Sequence, residues 1–432
     1  MEHIVTLCLC AGVAGGGLAS GATGPTDVVR AMNALDETDF FGIRMLAFEV
    51  GKVETLSLVL KHADAAVRDT WLARLNQATR DRYEERMQQL GPAGTEQVAS
   101  AAAAIAVLLG DPRLILRRAQ SLASAGKMRE AAEAWERAFA AGAGERLDFY
   151  QAACIWALSG DTDGAFRNLG RAADAGWTDI TLDTDSDLTS LHGDKRWNAL
   201  VARVTARRDS LFATLPDSHP ATTVVKLPEP ARDGKVSVEK AMAGRRSERQ
   251  YTDAPLQLAE VSQLLWAAYG TTQPMPNAPQ LRGGLKTTPS AGALYPLELY
   301  IVAGNVTGLP PGVYWYRPES HDLVLVEAGD KRQRLFDAAV GQTCVRDAPA
   351  SIVYSAVFSR NTGKYGDRGR ERYVCMDLGH SAENVYLQCA PLGLGTCAIG
   401  AFLDDDLRLV IRMTKPEEPL YIMPVGRLVA KK

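Results

Sequence analysis

The chain has no CxxC pair and only six histidines in 432 residues. Its seven cysteines (Cys8, Cys10, Cys154, Cys344, Cys375, Cys389, Cys397) form an odd, scattered set, so neither a disulfide framework nor a zinc site is expected. An excess of positive charge is also missing: 48 Lys and Arg stand against 51 Asp and Glu, a formal net charge of −3. That argues against a nucleic-acid binder, whose affinity would rest on a concentrated basic face. A long apolar run is lacking too. Ile4 to Ala14, followed by a Gly/Ala-rich run to Gly24, is too short and too glycine-rich for a transmembrane helix, so no membrane span is expected. The same run has the small and apolar residues of a signal peptide, yet begins with Glu2 and His3 where positive charge would be needed. A cytoplasmic location is expected.

What is present is a 46% apolar content on a length that suits two or three domains. Residues 1–25 are set aside as a signal-like or unstructured segment. From 26 to 112 the pattern is helical, with Leu56, Val59, Leu60 and Ala63 on one face and Trp71, Leu72 and Leu75 on the next. This all-α stretch resembles the C-terminal domain of FliG-type flagellar motor-switch proteins, which implies an interaction domain without catalytic residues. Across 113–212 a repeat appears, since Ala125-Gly126, Arg137-Ala138 and Gly142 are answered 34 positions later by Ser159-Gly160, Arg171-Ala172 and Gly176. That is the tetratricopeptide period. Two repeats bury little core alone and need capping helices. The helical half therefore reads either as a surface for a protein partner or as a spacer. Four prolines between Pro216 and Pro230 mark residues 213–235 as a linker that disfavours helix and sheet.

After the linker, at residues 236–432, the composition changes. Strand-like runs occur at Leu297 to Gly304, Gly312 to Tyr316, Leu323 to Glu327, Ser351 to Phe358 and Leu420 to Leu428. Helices are predicted at Leu258 to Tyr269 and from about Arg372 to Leu392, where Val374, Leu378, Ser381, Val385 and Cys389 share one stripe. An α+β domain with a mixed sheet flanked by helices follows.

Arg245-Arg246-Ser247-Glu248-Arg249 puts three guanidinium forks and a hydroxyl within five residues. Such forks match a phosphate bidentately, although the cluster alone reads more readily as a solvated basic turn. Pro289-Ser290-Ala291-Gly292 precedes a strand, and its small residues allow the backbone to approach a flat ring. Gly393 to Ala401 has glycines at 393, 395 and 400, but Ala398 and the preceding helix rule out a dinucleotide fingerprint. Cys397, with no neighbouring cysteine or cation in sequence, reads as packed rather than redox active.

Taken in order, RRSER, PSAGALYPLELYIV (Pro289 to Val302), Lys364 to Phe402 and PVGRL (Pro424 to Leu428) resemble the nitroreductase superfamily of flavin enzymes, and more closely its SagB/ThcOx-type branch. The resemblance implies FMN as cofactor and a homodimer through this domain, with the Pro289–Gly292 loop facing the partner's flavin. Residue by residue, it implies that Arg245, Arg246, Ser247 and Arg427 surround the phosphate and that Arg249 reaches the N1/O2 edge. Pro289, Ser290, Ala291 and Gly292 would line the ring, and Ala398, Ile399, Gly400 and Ala401 would offer backbone amides to its N5/O4 edge. Ala293 stands where nitroreductases of the familiar kind carry asparagine.

Lys364-Tyr365, in KYGDRGRER, resembles the Lys-Tyr pair that the SagB branch carries in the loop before the long helix. Azoline-to-azole oxidation sends a hydride to flavin N5 and a proton to a base, which a desolvated lysine or a tyrosine near a cation can be. The resemblance therefore implies that Lys364 and Tyr365 act on a peptide-derived or amino-acid-derived heterocycle, a small-molecule or peptide substrate. Two other readings stay open: NAD(P)H-driven reduction of a nitro compound or quinone, and an inactive flavin domain on a repeat scaffold. His380 and Glu383 on the long helix read as packing residues.

Overall fold

Short polar side chains punctuate the N-terminal half. In the computed structural model, which describes residues 24–35, 40, 43–44, 47, 52–109 and 111–429, Asp64, Asn76, Asp111 and Asp161 each accept backbone N–H bonds at a helix start. A cap of this kind stabilises its helix by ~1 kcal/mol. The signal-like run lies outside the described residues. Among them no single helix is long and apolar enough to cross a membrane.

Two compact units divide the chain, Met1–Thr205 and Ala206–Lys432. The first holds α1 (Pro25–Asn33), α2 (Val53–His62), α3 (Ala65–Ala73), α4 (Gln77–Gln89), α5 (Thr95–Leu109), α6 (Pro112–Ser124), α7 (Met128–Ala140), α8 (Arg146–Leu158) and α9 (Thr162–Asp174). Trp71 is wholly buried there, with the Tyr83 ring edge-on at 5.2 Å. The 34-residue recurrence has a structural counterpart in two helical hairpins, α6–α7 and α8–α9. Gly126 and Gly160 end the first helix of each with φ of 77° and 83°, a conformation that costs other residues about 1 kcal/mol. Helix α10 (Trp197–Phe212) follows.

In the second unit the strands are β1 (Val224–Lys226), β2 (Leu256–Gln257), β3 (Thr271–Pro274), β4 (Gly284–Lys286), β5 (Leu297–Ala303), β6 (Val306–Thr307), β7 (Gly312–Arg317), β8 (Asp322–Ala328), β9 (Ala350–Ala356), β10 (Leu394–Thr396) and β11 (Glu418–Arg427). Seven of them form one sheet in the order β1-β8-β7-β5-β9-β11-β10. Every pairing in it is antiparallel, which corrects the mixed sheet expected. Parallel neighbours need a crossover to bring the chain back in the same sense, and here successive neighbours return in the opposite sense.

Alternation on the central strands feeds two cores. Leu297, Leu299 and Ile301 of β5, with Ile352 and Tyr354 of β9, pack with α12 (Leu258–Tyr269) and α16 (Val374–Leu392). Tyr300, Val302 and Val353 point the other way, toward α13 (Arg332–Ala338), α14 (Thr343–Asp347) and α17 (Asp404–Ile411). The short helices α11 (Val238–Gly244) and α15 (Ser359–Tyr365) complete the unit.

The proline-rich stretch does carry a strand, contrary to expectation. Val224–Lys226 pairs with β8 as an edge, where prolines on either side of a β-branched run do no harm to the ladder. Ser262 Oγ then donates to the Pro228 carbonyl at 2.5 Å, and Ala231 N–H to Gln263 Oε1 at 2.7 Å, so the stretch is fastened to α12.

Further up the same stretch, Nε2 of His219 meets the Tyr300 hydroxyl at 2.8 Å, and that hydroxyl donates to the buried Glu417 carboxylate at 2.8 and 2.9 Å. Burial pulls the His219 imidazole down to about 4, so the folded chain holds it neutral. The unfolded chain takes up that proton first as pH falls below the ordinary value near 6.5. Stability is therefore lost between about pH 6.5 and 4, and no further loss from this group follows below that window. Melting curves across this range should show a smaller acid slope for His219→Gln than for the wild type.

Candidate active site

Helix α15 ends on the two residues of greatest chemical interest. Lys364 and Tyr365 form its last turn rather than lying in a loop, and Gly366, at φ 57°, stops the helix behind them. Two ion pairs tie this segment to the sheet. Arg360 meets Glu298 of β5 at 2.7 Å, and Arg370, stacked over Phe358 at 4.0 Å, grips Glu418 of β11 with both terminal nitrogens. Tyr365 lies against the Tyr373 ring at 4.8 Å, and Lys364 Nζ is 5.2 Å from the Tyr365 ring centre.

Opposite stands the Pro289–Gly292 loop. A Cβ placed on Gly292 would come within 2.5 Å of Tyr365 Oη and 2.9 Å of Lys364 Nζ, so the ammonium and the phenol share one small space against a glycine. The loop is held from α16: Ser290 Oγ donates to Asp377 Oδ2 at 2.5 Å, and Ala291 N–H to Oδ1 at 3.3 Å. Asp377 is buried, which pushes its carboxyl up despite these bonds. Ser290 is thus committed through its hydroxyl to the fold. Lys364 is exposed within the chain, so desolvation of its ammonium depends on what binds over it.

A second cluster gathers toward the other end of α16. Ser247 pairs as a parallel bridge with Thr396 of β10, which brings the arginine segment beside the glycine-rich one. Tyr386 joins them: its hydroxyl accepts from Ala398 N–H at 2.7 Å and meets Ser247 Oγ at 3.1 Å, while Arg245 lies 5.2 Å from its ring. Arg246 turns back on the carbonyls of Ala243 and Arg245. Arg249 is exposed.

Of the four backbone amides predicted to face a ligand, Ala398 N–H is taken by Tyr386 and Ile399 N–H by the Ile422 carbonyl at 2.9 Å. Gly400 and Ala401 are the two at this segment with no such commitment among the described residues. Arg427 is engaged elsewhere, since it pairs with Glu260 of α12 at 2.9 Å.

Three sequence readings change here. Cys397 is buried as expected, but the fold gives it both a neighbour and a cation. Contact with the Cys344 thiol, with Arg249 nearby, holds Cys397 below the ordinary thiol value against the effect of burial. His380 and Glu383, expected to pack, are exposed. Asp377, Asn384 and Tyr386 were missed, although for the first two the helical period carried the signal. Asp377 and Asn384 flank Ser381 at helical spacing, on a face whose other members are apolar.

The nitroreductase family model matches residues 242–427. Protein MJ1384 of Methanocaldococcus jannaschii, provisionally named a nitroreductase, is 43% identical over 195 residues, 45% of this chain and 93% of that protein. The chain belongs to the nitroreductase family. TfxB of Rhizobium leguminosarum bv. trifolii, named a trifolitoxin-processing protein, is 32% identical over 113 residues, which is 25% of this chain and 30% of TfxB. A solved structure from Ralstonia eutropha JMP134, also provisionally named a nitroreductase, is 30% identical and covers 50% of this chain and 95% of its own, with a TM-score of 0.41. The matched region is the unit that holds both clusters, and family membership makes the chain an oxidoreductase.

Proposed function

We propose that the C-terminal unit is an FMN-dependent dehydrogenase of SagB/ThcOx type, which oxidises a peptide-derived or amino-acid-derived heterocycle. The observation that carries this reading is the convergence of Lys364 Nζ and Tyr365 Oη on Gly292. Reduction of a nitro group needs no protein base beside the ring, whereas removing hydrogen from carbon does. A toxin-processing name on TfxB supports the same direction.

The donor set fits FMN. Arg245 and Ser247, steadied by Tyr386, supply a cation and a hydroxyl suited to a phosphate; the uncommitted Gly400 and Ala401 amides suit carbonyl or ring-nitrogen acceptors. When bound, FMN supplies a two-electron acceptor. The chain's own contribution is a permanent cation at Arg249 and a proton acceptor at Lys364 or Tyr365. Asp377 and Tyr386 are nine residues apart on α16, about 13 Å along its axis. This separation supports a homodimer in which one copy's Pro289–Gly292 loop, with its Lys364 and Tyr365, meets the other copy's arginine cluster. The helical half, with its tetratricopeptide-like spacing, would receive a protein partner.

Tyr386→Phe tests the cofactor assignment. It leaves Ala398 N–H without its acceptor and Ser247 without its partner, a change worth about tenfold in affinity. Fluorescence of free flavin on dilution should show FMN leaving the variant at correspondingly higher protein concentration. Equal retention in both proteins would place the cofactor elsewhere.

A further inference from the structure

Helix α16 meets the active-site loop along one polar line. Asp377, Ser381 and Asn384 fall at i, i+4 and i+7, on a single face of the helix. Asn384 Nδ2 donates to the Ala267 carbonyl at 3.1 Å, to Thr288 Oγ1 at 3.3 Å and to the Thr287 carbonyl at 3.4 Å. Ser381 Oγ donates to the Ala268 carbonyl at 2.7 Å and meets the Tyr354 hydroxyl at 3.0 Å. These two fix the approach to the loop. The loop itself is fixed at one point, Asp377, through the Ser290 hydroxyl and the Ala291 amide. Ser290 Oγ passes the restraint on by accepting from Tyr295 N–H at 2.9 Å.

The restraint opposes backbone strain. Between Ser290 and Leu297 the chain passes through positive φ three times, at Gly292 (64°), Ala293 (54°) and Tyr295 (47°). Two of these residues carry a side chain, and each left-handed residue of that kind costs about 1 kcal/mol or more. Such a segment relaxes unless something over-determines it: Arg282 Nη1 holds its far end by donating to the Tyr295 carbonyl at 2.6 Å and the Leu297 carbonyl at 3.1 Å, and the buried carboxylate of Asp377 holds the near end, beside Gly292. What the strained segment presents is Gly292, the surface against which Lys364 and Tyr365 stand.

We propose that Asp377 is a positioning residue. Through Ser290 it sets the place of Gly292, and thereby the space in which Lys364 Nζ and Tyr365 Oη meet a substrate. The proposal rests on the reading of Lys364 and Tyr365 as the proton-accepting pair, but the clamp is measurable without turnover. It also assigns Ser290 a task in the fold rather than on the flavin.

The test uses the full-length FMN-loaded chain and two variants, Asp377→Asn and Ser290→Ala. An amide faces two donors with a single acceptor oxygen, so Asp377→Asn loses one bond of the pair; Ser290→Ala cuts the same link from the loop side. Hydrogen exchange at Gly292 to Leu294, amides that bond neither Asp377 nor the Ser290 hydroxyl directly, is expected to rise about tenfold or more in each, the effect of one charge-assisted bond. Labelling of Lys364 by an amine-reactive reagent should change with it, while labelling of exposed Lys240 stays constant. Because both substitutions cut one link, the double variant should exchange no faster than the faster single one, whereas independent structural defects would add. Unchanged exchange at these amides, acceleration throughout the domain, or additive effects would overturn the clamp. If Asp377→Asn does not fold, Ser290→Ala carries the exchange and labelling tests alone. Full turnover by Lys364→Ala would sink the catalytic reading and leave the clamp standing; altered exchange with unchanged Lys364 labelling would sink the clamp's bearing on that pair alone.

Discussion

Lys364→Ala is expected to lower substrate oxidation by about a hundredfold or more while the purified protein keeps its FMN. A positioned base contributes roughly 10²–10⁴ in rate, and this ammonium takes no part in the arginine cluster assigned to the phosphate. Lys364 is exposed on the last turn of α15, so its removal leaves no cavity and breaks no buried bond. Tyr365→Phe should cost less if the lysine is the acceptor and as much if the phenol is. The pair of variants, compared by kcat at saturating substrate with bound flavin counted spectroscopically, separates the two. Turnover retained in Lys364→Ala would remove the lysine from the mechanism.

Gly292→Ala should be nearly as damaging by a different route. At φ 64° the alanine pays backbone strain of about 1 kcal/mol, and its methyl needs the space held by Tyr365 Oη and Lys364 Nζ at 2.5 and 2.9 Å. Both obstructing atoms end flexible side chains, so the domain folds and the pair gives way. A displacement near 1 Å at a reacting group can cost on the order of a hundredfold in rate. Gly308→Ala is the matched control. That residue has φ 87° and would place its Cβ 3.5 Å from Leu258 Cβ, an ordinary contact beyond the opposite end of β5 from the loop. The two variants should lose similar thermal stability, and only Gly292→Ala should lose activity. Equal activity in both would mean that the space at Gly292 is not where chemistry occurs.

Much of the C-terminal unit was legible in the sequence because its signals are local. Leu258–Tyr269 was read to the residue from its helical pattern, and each of the five long strands was found within two residues at every end from its run of apolar, β-branched and aromatic residues. Strand β1 was missed because prolines near a short β-branched run mask an edge strand, and the fastening of that stretch by Ser262 and Gln263 is tertiary. The Lys364-Tyr365 pair was visible as a motif, whereas its helical setting depended on where Gly366 would stop the chain.

Long-range pairings were the least accessible part of the site. Cys397 acquires Cys344 and Arg249 as neighbours only through folding, and Arg427 is drawn to Glu260 from a helix well over a hundred residues earlier. Asp377 and Asn384 could have been suspected, since polar residues at helical spacing on a buried face need partners, whereas Tyr386 lies on the opposite side of the helix and carried no such signal. Which partners they take is information the sequence holds only through the whole sheet.

The direction of electron flow is the centre of the account. The most direct test mixes the purified, FMN-loaded chain anaerobically with excess NADPH and follows the visible flavin band. A dehydrogenase built around a protein base should leave that band almost unchanged over many turnover times, with close to one FMN bound per chain. Rapid bleaching would contradict the account, because it would show that nicotinamide feeds the flavin and that the family's reductase chemistry, rather than oxidation at Lys364 and Tyr365, is what this chain performs.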